Sequence, residues 1–469
     1  MRNFFIRIAA LAATALMVIS CGSSSDSSAN MASVRVLHAV SDAPRVNVYL
    51  DDELVLNDVD FRAGSGYLPI MSGAYDVRVE AIVPGGNIDV ITIDDFDFSA
   101  GSASTLVATG DVSEASIAPL PIAEPTEAIA PGNIRLRVTH ASPEAPPVYL
   151  AITTPDLPID QAALLGPFSY QQTTDALEVP AGNYQVRVTA SGQPLVDDDV
   201  LFDTGELPLA EGAELHVFAV TSTVPSTNAA GSPISLVVLD GSGSSDIFDA
   251  DTGANLRVVH NSPGAPAVDV VVDLNDTMVD EDLEIVTGLA YGESAGYLSP
   301  AVAAFSYNVG VRASPDGVDD VLNFDADLMA GMGYTVIAND VFPGSITQWV
   351  LVDDYRPVVT EAKVRLAHGS PSAGIVDIYV FSSADNLLPE DVAGPALESV
   401  AFGTATGFLS LAPGDYDIYV TGENSIVPAI SVTGLTVNAG GVYTAIARDP
   451  DPLDAMDTML GVTLIADEL

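Results

Sequence analysis

One short stretch occurs four times in this chain of 469 residues, and it limits what the chain can fold into. It reads RVLHAVSDAP at 35–44, RVTHASPEAP at 137–146, RVVHNSPGAP at 257–266 and RLAHGSPSAG at 365–374. In each copy a basic and apolar strand runs into a histidine and then breaks in a turn of Ser, Pro, Ala and Gly. Four of the five histidines, His38, His140, His260 and His368, stand at this point. Their separations of 102, 120 and 108 residues are each the length of one small domain. Internal recurrence of this kind sets the unit boundaries before any other reasoning.

Two further landmarks follow each histidine. The first is a Tyr-centred strand, SGAYDVRVEA (72–81), AGNYQVRVTA (181–190), AFSYNVGVRA (304–313) and PGDYDIYVTG (413–422), which puts Tyr75, Tyr184, Tyr307 and Tyr416 at one position. The second is a Gly turn leading into another strand, as in SAGSASTLVATG (99–110) and NAGGVYTAIAR (438–448). Stretches such as VNVYLD (46–51) and YDVRVE (75–80) alternate with period two and are rich in Val and Tyr. Short strands with regular turns point to an all-β chain of four tandem β-sandwiches, each Ig-like or transthyretin-like. The expected units are 33–122, 133–240, 254–353 and 362–469. Between them, 111–132 is Pro/Ala/Glu-rich and expected to be a semi-stiff spacer that includes the last strand of the first unit. The Gly/Ser/Asp-rich 240–253 is expected to be looser, and 353–362 is short enough to hold the last two units closely.

The run from the His turn through VDV or VNVY, then GYL, then the Gly-x-Tyr-x-Val strand, resembles the bacterial domain-of-unknown-function family 4397. The resemblance covers essentially the whole chain after its leader. It implies an extracytoplasmic module and supplies no activity. The first unit departs from it with Val40-Ser41 in place of Ser-Pro, and the second reads PPVYL (146–150) without the Asp or Asn of the V-D/N-V strand.

The N-terminus reads as an address. Arg2 and Arg7 precede an apolar run at 8–20 that is too short to span a membrane. The run ends in Val18-Ile19-Ser20-Cys21, which resembles a bacterial lipoprotein cleavage box. Residues 1–20 are thus expected to be a lipoprotein signal peptide, Cys21 the lipidation site, and 21–32 a Ser-rich tether. The partner implied is a membrane, reached through lipid. The expected location is the outer membrane of a Gram-negative bacterium, on its periplasmic or outer face.

Cys21 is the only cysteine, so each unit must rely on an apolar core and not on disulfides. The net charge is −49, and losing Arg2 and Arg7 with the leader would make it −51. Such a surface repels nucleic acid and anionic lipid. Asp95, Asp97, Asp198, Asp199, Asp325 and Asp327 lie in acidic clusters before the third landmark, where calcium could find oxygen ligands. The fourth unit reads SVTGLTV (431–437) there, so calcium is no requirement of the repeat; a solvated strand face is the plainer reading. Four residues after the histidines stand Asp42, Glu144, Gly264 and Ser372, so no carboxylate partner recurs, and a lone histidine per unit is a poor zinc site. The histidines are read as structural, closing the strand onto its turn. Gly292-Glu293-Ser294-Ala295-Gly296 spells a nucleophile elbow, but it lacks the strand-to-helix setting that motif needs. No catalytic residue and no cofactor are expected. The reading is a non-enzymatic scaffold or adhesion module with an unknown protein or envelope partner. The alternative is a lipoprotein that holds calcium or a glycan at domain junctions.

Overall fold

The computed structural model describes residues 30–155, 157–190, 199–224, 232–273, 283–298, 306–315 and 320–467. These residues form strands, short 3-10 turns and loops, in accord with the period-two patterning. Repeat 1 shows the plan. Its strands are β1 (Met31–His38), β2 (Val46–Leu50), β3 (Glu53–Val59), β4 (Leu68–Met71), β5 (Gly73–Ala81), β6 (Ile88–Phe98), β7 (Ala103–Thr109) and β8 (Ala118–Glu124). They form two sheets, ordered β4-β1-β7-β8 and β3-β2-β5-β6. Every neighbouring pair is antiparallel except β1 beside β7, which is parallel. The same parallel pair recurs as 133–140 with 214–221, 255–261 with 333–339, and 362–368 with 442–448.

Alternation explains the inner faces. Val77, Val79 and Ala81 of β5 are buried while the residues between them are not. Val46, Val48, Val79 and Ile91 pack with Val36 across the sandwich. The landmark tyrosines pin the entry to this strand: the Tyr75 hydroxyl donates to Met71 O at 2.9 Å, Tyr184 to Pro180 O at 2.6 Å and Tyr416 to Ala412 O at 2.9 Å. The side chain of Tyr307 lies outside the described residues.

The first strand of each repeat behaves differently, because neither of its faces is open. Ala32, Val34 and Val36 enter the sandwich of repeat 1. Arg35 and Leu37 point the other way, yet are 1 % and 0 % exposed. That second face lies against the matching sheet of repeat 2. Leu37, Val107 and Ile122 pack there with Phe218, Val220, Val237 and Leu239. Repeats 3 and 4 join in the same way, with Val259 and Ile337 against Ala367, Ile446 and Ile465. The sandwiches expected one after another therefore come in pairs. The chain divides near Ala250 into two compact units, each with apolar cores inside its two sandwiches and a further core between them.

Pairing also changes the segments expected to be connectors. Within 240–253, Ser244–Ile247 forms a strand beside Ile234–Leu239. Ser244 Oγ accepts from Gly64 N at 2.9 Å, and Gly243 bridges Ser65 of repeat 1. A Cβ on Gly64 would lie 2.3 Å from the end of the Leu239 side chain, so a larger residue there would require Leu239 to move within the core. The added strand satisfies backbone groups that a loose linker would leave to water. Strand β8 runs to Glu124, two residues past the expected end of the first unit, and β1 begins at Met31 inside the expected tether.

Phe218 is fully buried at the junction of repeats 1 and 2. Phe218→Ala is expected to cost about 3–5 kcal/mol. It is also expected to lower amide protection in both repeats together, measured by hydrogen exchange. Loss of protection in repeat 2 alone would show that the two do not share a core.

Candidate functional site

The repeated histidine makes the same contacts each time. Nε2 of His38, His140, His260 and His368 bonds the carbonyl six residues on, in Pro44, Pro146, Pro266 and Gly374, at 3.1, 3.1, 3.0 and 2.6 Å. In three repeats the backbone N–H two residues on, of Val40, Ser262 or Ser370, donates to Nδ1 at 3.3–3.4 Å. The Nε2–H tautomer follows from those two partners. Each ring also meets an aromatic edge-on: Phe61, Tyr170, Tyr291 and Phe402, with centroids 5.8–6.4 Å apart. The His260 pKa is pushed down by burial, so that ring is neutral near pH 7. A side chain held this way closes the turn; in repeat 2 the His140 Nδ1 is buried without a hydrogen-bond partner.

The residue three before each histidine forms the denser arrangement. Arg257 and Arg365 lie in the core between repeats 3 and 4. Arg257 Nε donates to Thr335 at 2.7 Å, and its Nη1 donates to Asp467 Oδ2 at 2.7 Å, across to repeat 4. Arg365 Nε donates to Thr444 at 3.2 Å, and its Nη2 donates to Asp353 Oδ1 at 2.6 Å, across to repeat 3. The exchange is reciprocal. Thr335 and Thr444 are the cross-strand neighbours of the two arginines, while Asp353 and Asp467 end the last strand of their repeats. Tyr297 and Phe408 cover the guanidinium groups at 4.5 and 4.7 Å. Tyr297 also donates to Asp353 Oδ2 at 2.8 Å, and burial pushes its pKa well up.

In repeats 1 and 2 the same frame is asymmetric. Arg35 donates from Nε to Thr105 at 2.8 Å and from Nη2 to Glu124 at 3.1 Å, under the ring of Tyr67 at 4.5 Å. Arg137 reaches the same carboxylate at 2.9 Å. His216, the fifth histidine, takes the position beside Arg137 that threonine holds in the other three repeats. Its Nδ1 lies 2.7 Å from Glu124 Oε1, its Nε2 lies 2.7 Å from Thr139 Oγ1, and its ring stacks on Phe218 at 4.1 Å. Burial pushes the His216 pKa down, and the charges of Arg137 and Arg35 add to this against the pull of Glu124. Burial alone would raise the Glu124 pKa. Bonds from His216 and Thr105 and the charge of Arg35 outweigh it and hold the carboxylate ionised. A neutral His216 thus donates a hydrogen bond from its Nδ1–H to Glu124 and accepts one at Nε2 from Thr139.

The acidic clusters lie elsewhere. Asp95 and Asp97 on β6, and Asp325 and Asp327 on Asp320–Asp327, are exposed at alternate or bulged strand positions. Ser99 donates to Asp97 at 2.6 Å and Asn308 to Asp325 at 3.1 Å. Asp199 is half-buried, and Asp198 and Cys21 lie outside the described residues. Among the described residues no three of His, Cys, Asp and Glu converge as a metal-ligating group. Gly292 of the apparent nucleophile elbow starts a turn, with its N–H donating to His260 O at 2.8 Å.

The family model described as Domain of unknown function (DUF4397) matches residues 32–151 and 254–379, just over half of the chain. The chain belongs to this family. No curated protein matches it. Among solved structures, a protein from Bacteroides uniformis described as a candidate cell adhesion protein is 12 % identical, over 49 % of this chain and 99 % of its own, with a TM-score of 0.19. A second such protein, from Parabacteroides distasonis, is 11 % identical over 72 % and 99 %, with a TM-score of 0.14. A multi-modular glycogen-degrading pneumococcal virulence factor is 10 % identical over 61 % and 37 %, with a TM-score of 0.15. Likeness at these scores carries no argument.

Sequence reasoning about this DUF4397 protein weighed the four histidines and passed over the arginines three residues before them. The signal was there: Arg35, Arg137, Arg257 and Arg365 are four of only 15 basic residues and recur at one position. A solubilising role would place them anywhere on the surface, whereas a fixed place in an apolar strand calls for a buried partner. His216, lying outside the repeated motif, had no such signal.

Two outcomes test this network. Asp353→Ala leaves two buried guanidinium groups short of a partner and is expected to destabilise the second unit by about 3–5 kcal/mol, read from urea denaturation. The second concerns pH. The folded pKa of His216 lies below its unfolded value, so the unfolded chain takes up the extra proton as pH falls through about 6.5. Stability present above that pH is lost below it. His216→Thr is therefore expected to show a smaller fall in urea midpoint between about pH 7.5 and about pH 5.5 than the unaltered protein. Equal falls would refute the assignment.

Proposed function

We propose that this protein is a non-enzymatic scaffold of the cell envelope, held to a membrane by lipid on Cys21, which presents paired β-sandwiches for adhesion or partner binding. The observation that carries this reading is the junction between paired repeats. The histidines and motif arginines that recur in the repeat are turned inward to hold sheets together, and so serve rigidity. The four histidines bond backbone carbonyls, and the motif arginines bond Thr and carboxylate groups inside each unit. A rigid pair of sandwiches loses little entropy when its exposed strands and loops engage a partner. The junctions are filled by apolar side chains and ion pairs, which speaks against calcium or a glycan held there. Among the described residues no helix is long and apolar enough to cross a membrane, and lipid on Cys21 would supply the anchor.

Fractionation of cells that make the full chain tests the anchor. The protein is expected in the membrane pellet and extractable by detergent, with Cys21→Ala released to the soluble fraction. A variant that still pellets would remove the lipid from this reading. Crosslinking on intact cells then reads the scaffold role, which predicts a discrete partner that is retained when His260 is replaced by Gln. Loss of the partner with an intact fold would move the histidine from structure to binding.

A further inference from the structure

The sandwich interior of repeat 4 is not filled. A cavity of about 150 Å³ lies between its two sheets, bounded in part by Ile378, Ile418, Ile430, Val432 and Leu464. The matching space in repeat 1, between Val36, Val48, Val79, Ile91 and Leu106, holds only about 30 Å³. One difference lies on the cavity wall itself. In each repeat the residue just after the motif arginine pairs with an inward-facing residue of the neighbouring parallel strand: Val36 with Leu106, Val138 with Val217, Val258 with Val336, and Leu366 with Ala445. Three repeats place a branched side chain there and repeat 4 places a methyl group. Leu366 is one methylene larger than the valines at its position and does not refill the space.

The cavity has a way in and a defined chemistry. Leu464 lines it and is 45 % exposed. Its strand, Gly461–Asp467, is the last of one sheet, and Pro428–Val437 is the last of the other, so the opening lies between these two edges. The wall is aliphatic except for His368, whose Nε2 is taken by Gly374 O and whose Nδ1 is taken by Ser370 N. No side chain in it is left to receive a polar head. An aliphatic cavity of roughly this size stays dry and accepts a ring-sized hydrocarbon.

We propose that repeat 4 is a binding site for a neutral apolar group about the size of one aromatic ring, seated between its two sheets over Ala445. That group is either a free small molecule or the tip of an alkyl chain entering past Leu464. The site does not depend on the scaffold reading above.

The test uses the full chain with methyl-labelled isoleucine, and benzene and octanoate as probes. Benzene is expected to shift the Ile378, Ile418 and Ile430 methyl resonances saturably and to raise the melting temperature. Ala445→Leu fills the cavity and is expected to weaken benzene binding by roughly tenfold or more, with Ala445→Val between the two. Should the Leu variant not fold, the Val variant carries the comparison. Octanoate competing with benzene supports an alkyl tip; benzene binding without competition supports a free ring. The proposal is overturned if neither probe moves these methyls saturably, or if the Ala445 variants bind benzene as the unaltered protein does.

Discussion

The structure depends on a strand that has no solvent-facing side and carries an arginine in its middle. Once β1 lies under a second sheet, Arg35 must find partners where water cannot reach it, because an unpaired buried charge costs several kcal/mol. The partners come from fixed places: a hydroxyl on the adjacent parallel strand, a carboxylate at the end of the last strand, and an aromatic ring over the guanidinium. In the second unit Arg257 and Arg365 draw carboxylate partners from the facing repeat, Asp467 and Asp353, whereas Arg35 finds its partners within repeat 1. The apolar residues around it provide most of the driving force for that meeting. The ion pairs add charge-assisted bonds across that contact.

The two units meet the requirement differently. The second has two arginines, two threonines and two aspartates in near-symmetric exchange. In the first, Gly241 stands where the repeat 4 frame has Asp467, so a single carboxylate, Glu124, serves both Arg35 and Arg137. His216 then adds a neutral donor to the same carboxylate without adding charge. Arg135 is held separately by Glu178 and Glu214. The glycine at 241 also lets Tyr67 N–H donate to its carbonyl at 3.1 Å.

This division of labour has a functional side. With 64 acidic residues and few basic ones, the chain places several of its carboxylates on outer strand faces and turns the motif arginines inward. With acidic residues far in excess, the net charge of −49 resists self-association and contact with anionic surfaces. On the proposed scaffold reading, recognition would rest on shape, hydrogen bonding and apolar detail. The repeats have diverged in those respects, as the space over Ala445 in repeat 4 shows.

The strands and their spacing were legible in the sequence because period-two alternation and turn residues are local properties. The four histidine turns were legible for the same reason, since each bonds a carbonyl only six residues away. The all-β class and the family resemblance follow from that local pattern. The pairing of repeats was not legible. A strand buried on both faces reads as an apolar run with one odd charge, and the partners of that charge lie up to 210 residues away. Strand formation at 244–247 was hidden too, because a Gly/Ser/Asp-rich segment has no intrinsic β preference and is ordered by the sheet it joins. The sequence by itself determined the strands, the four copies of the motif and the turns that follow them. Only the tertiary structure decided that they would pack in twos, because that outcome rests on burying a second face and neutralising the arginines on it.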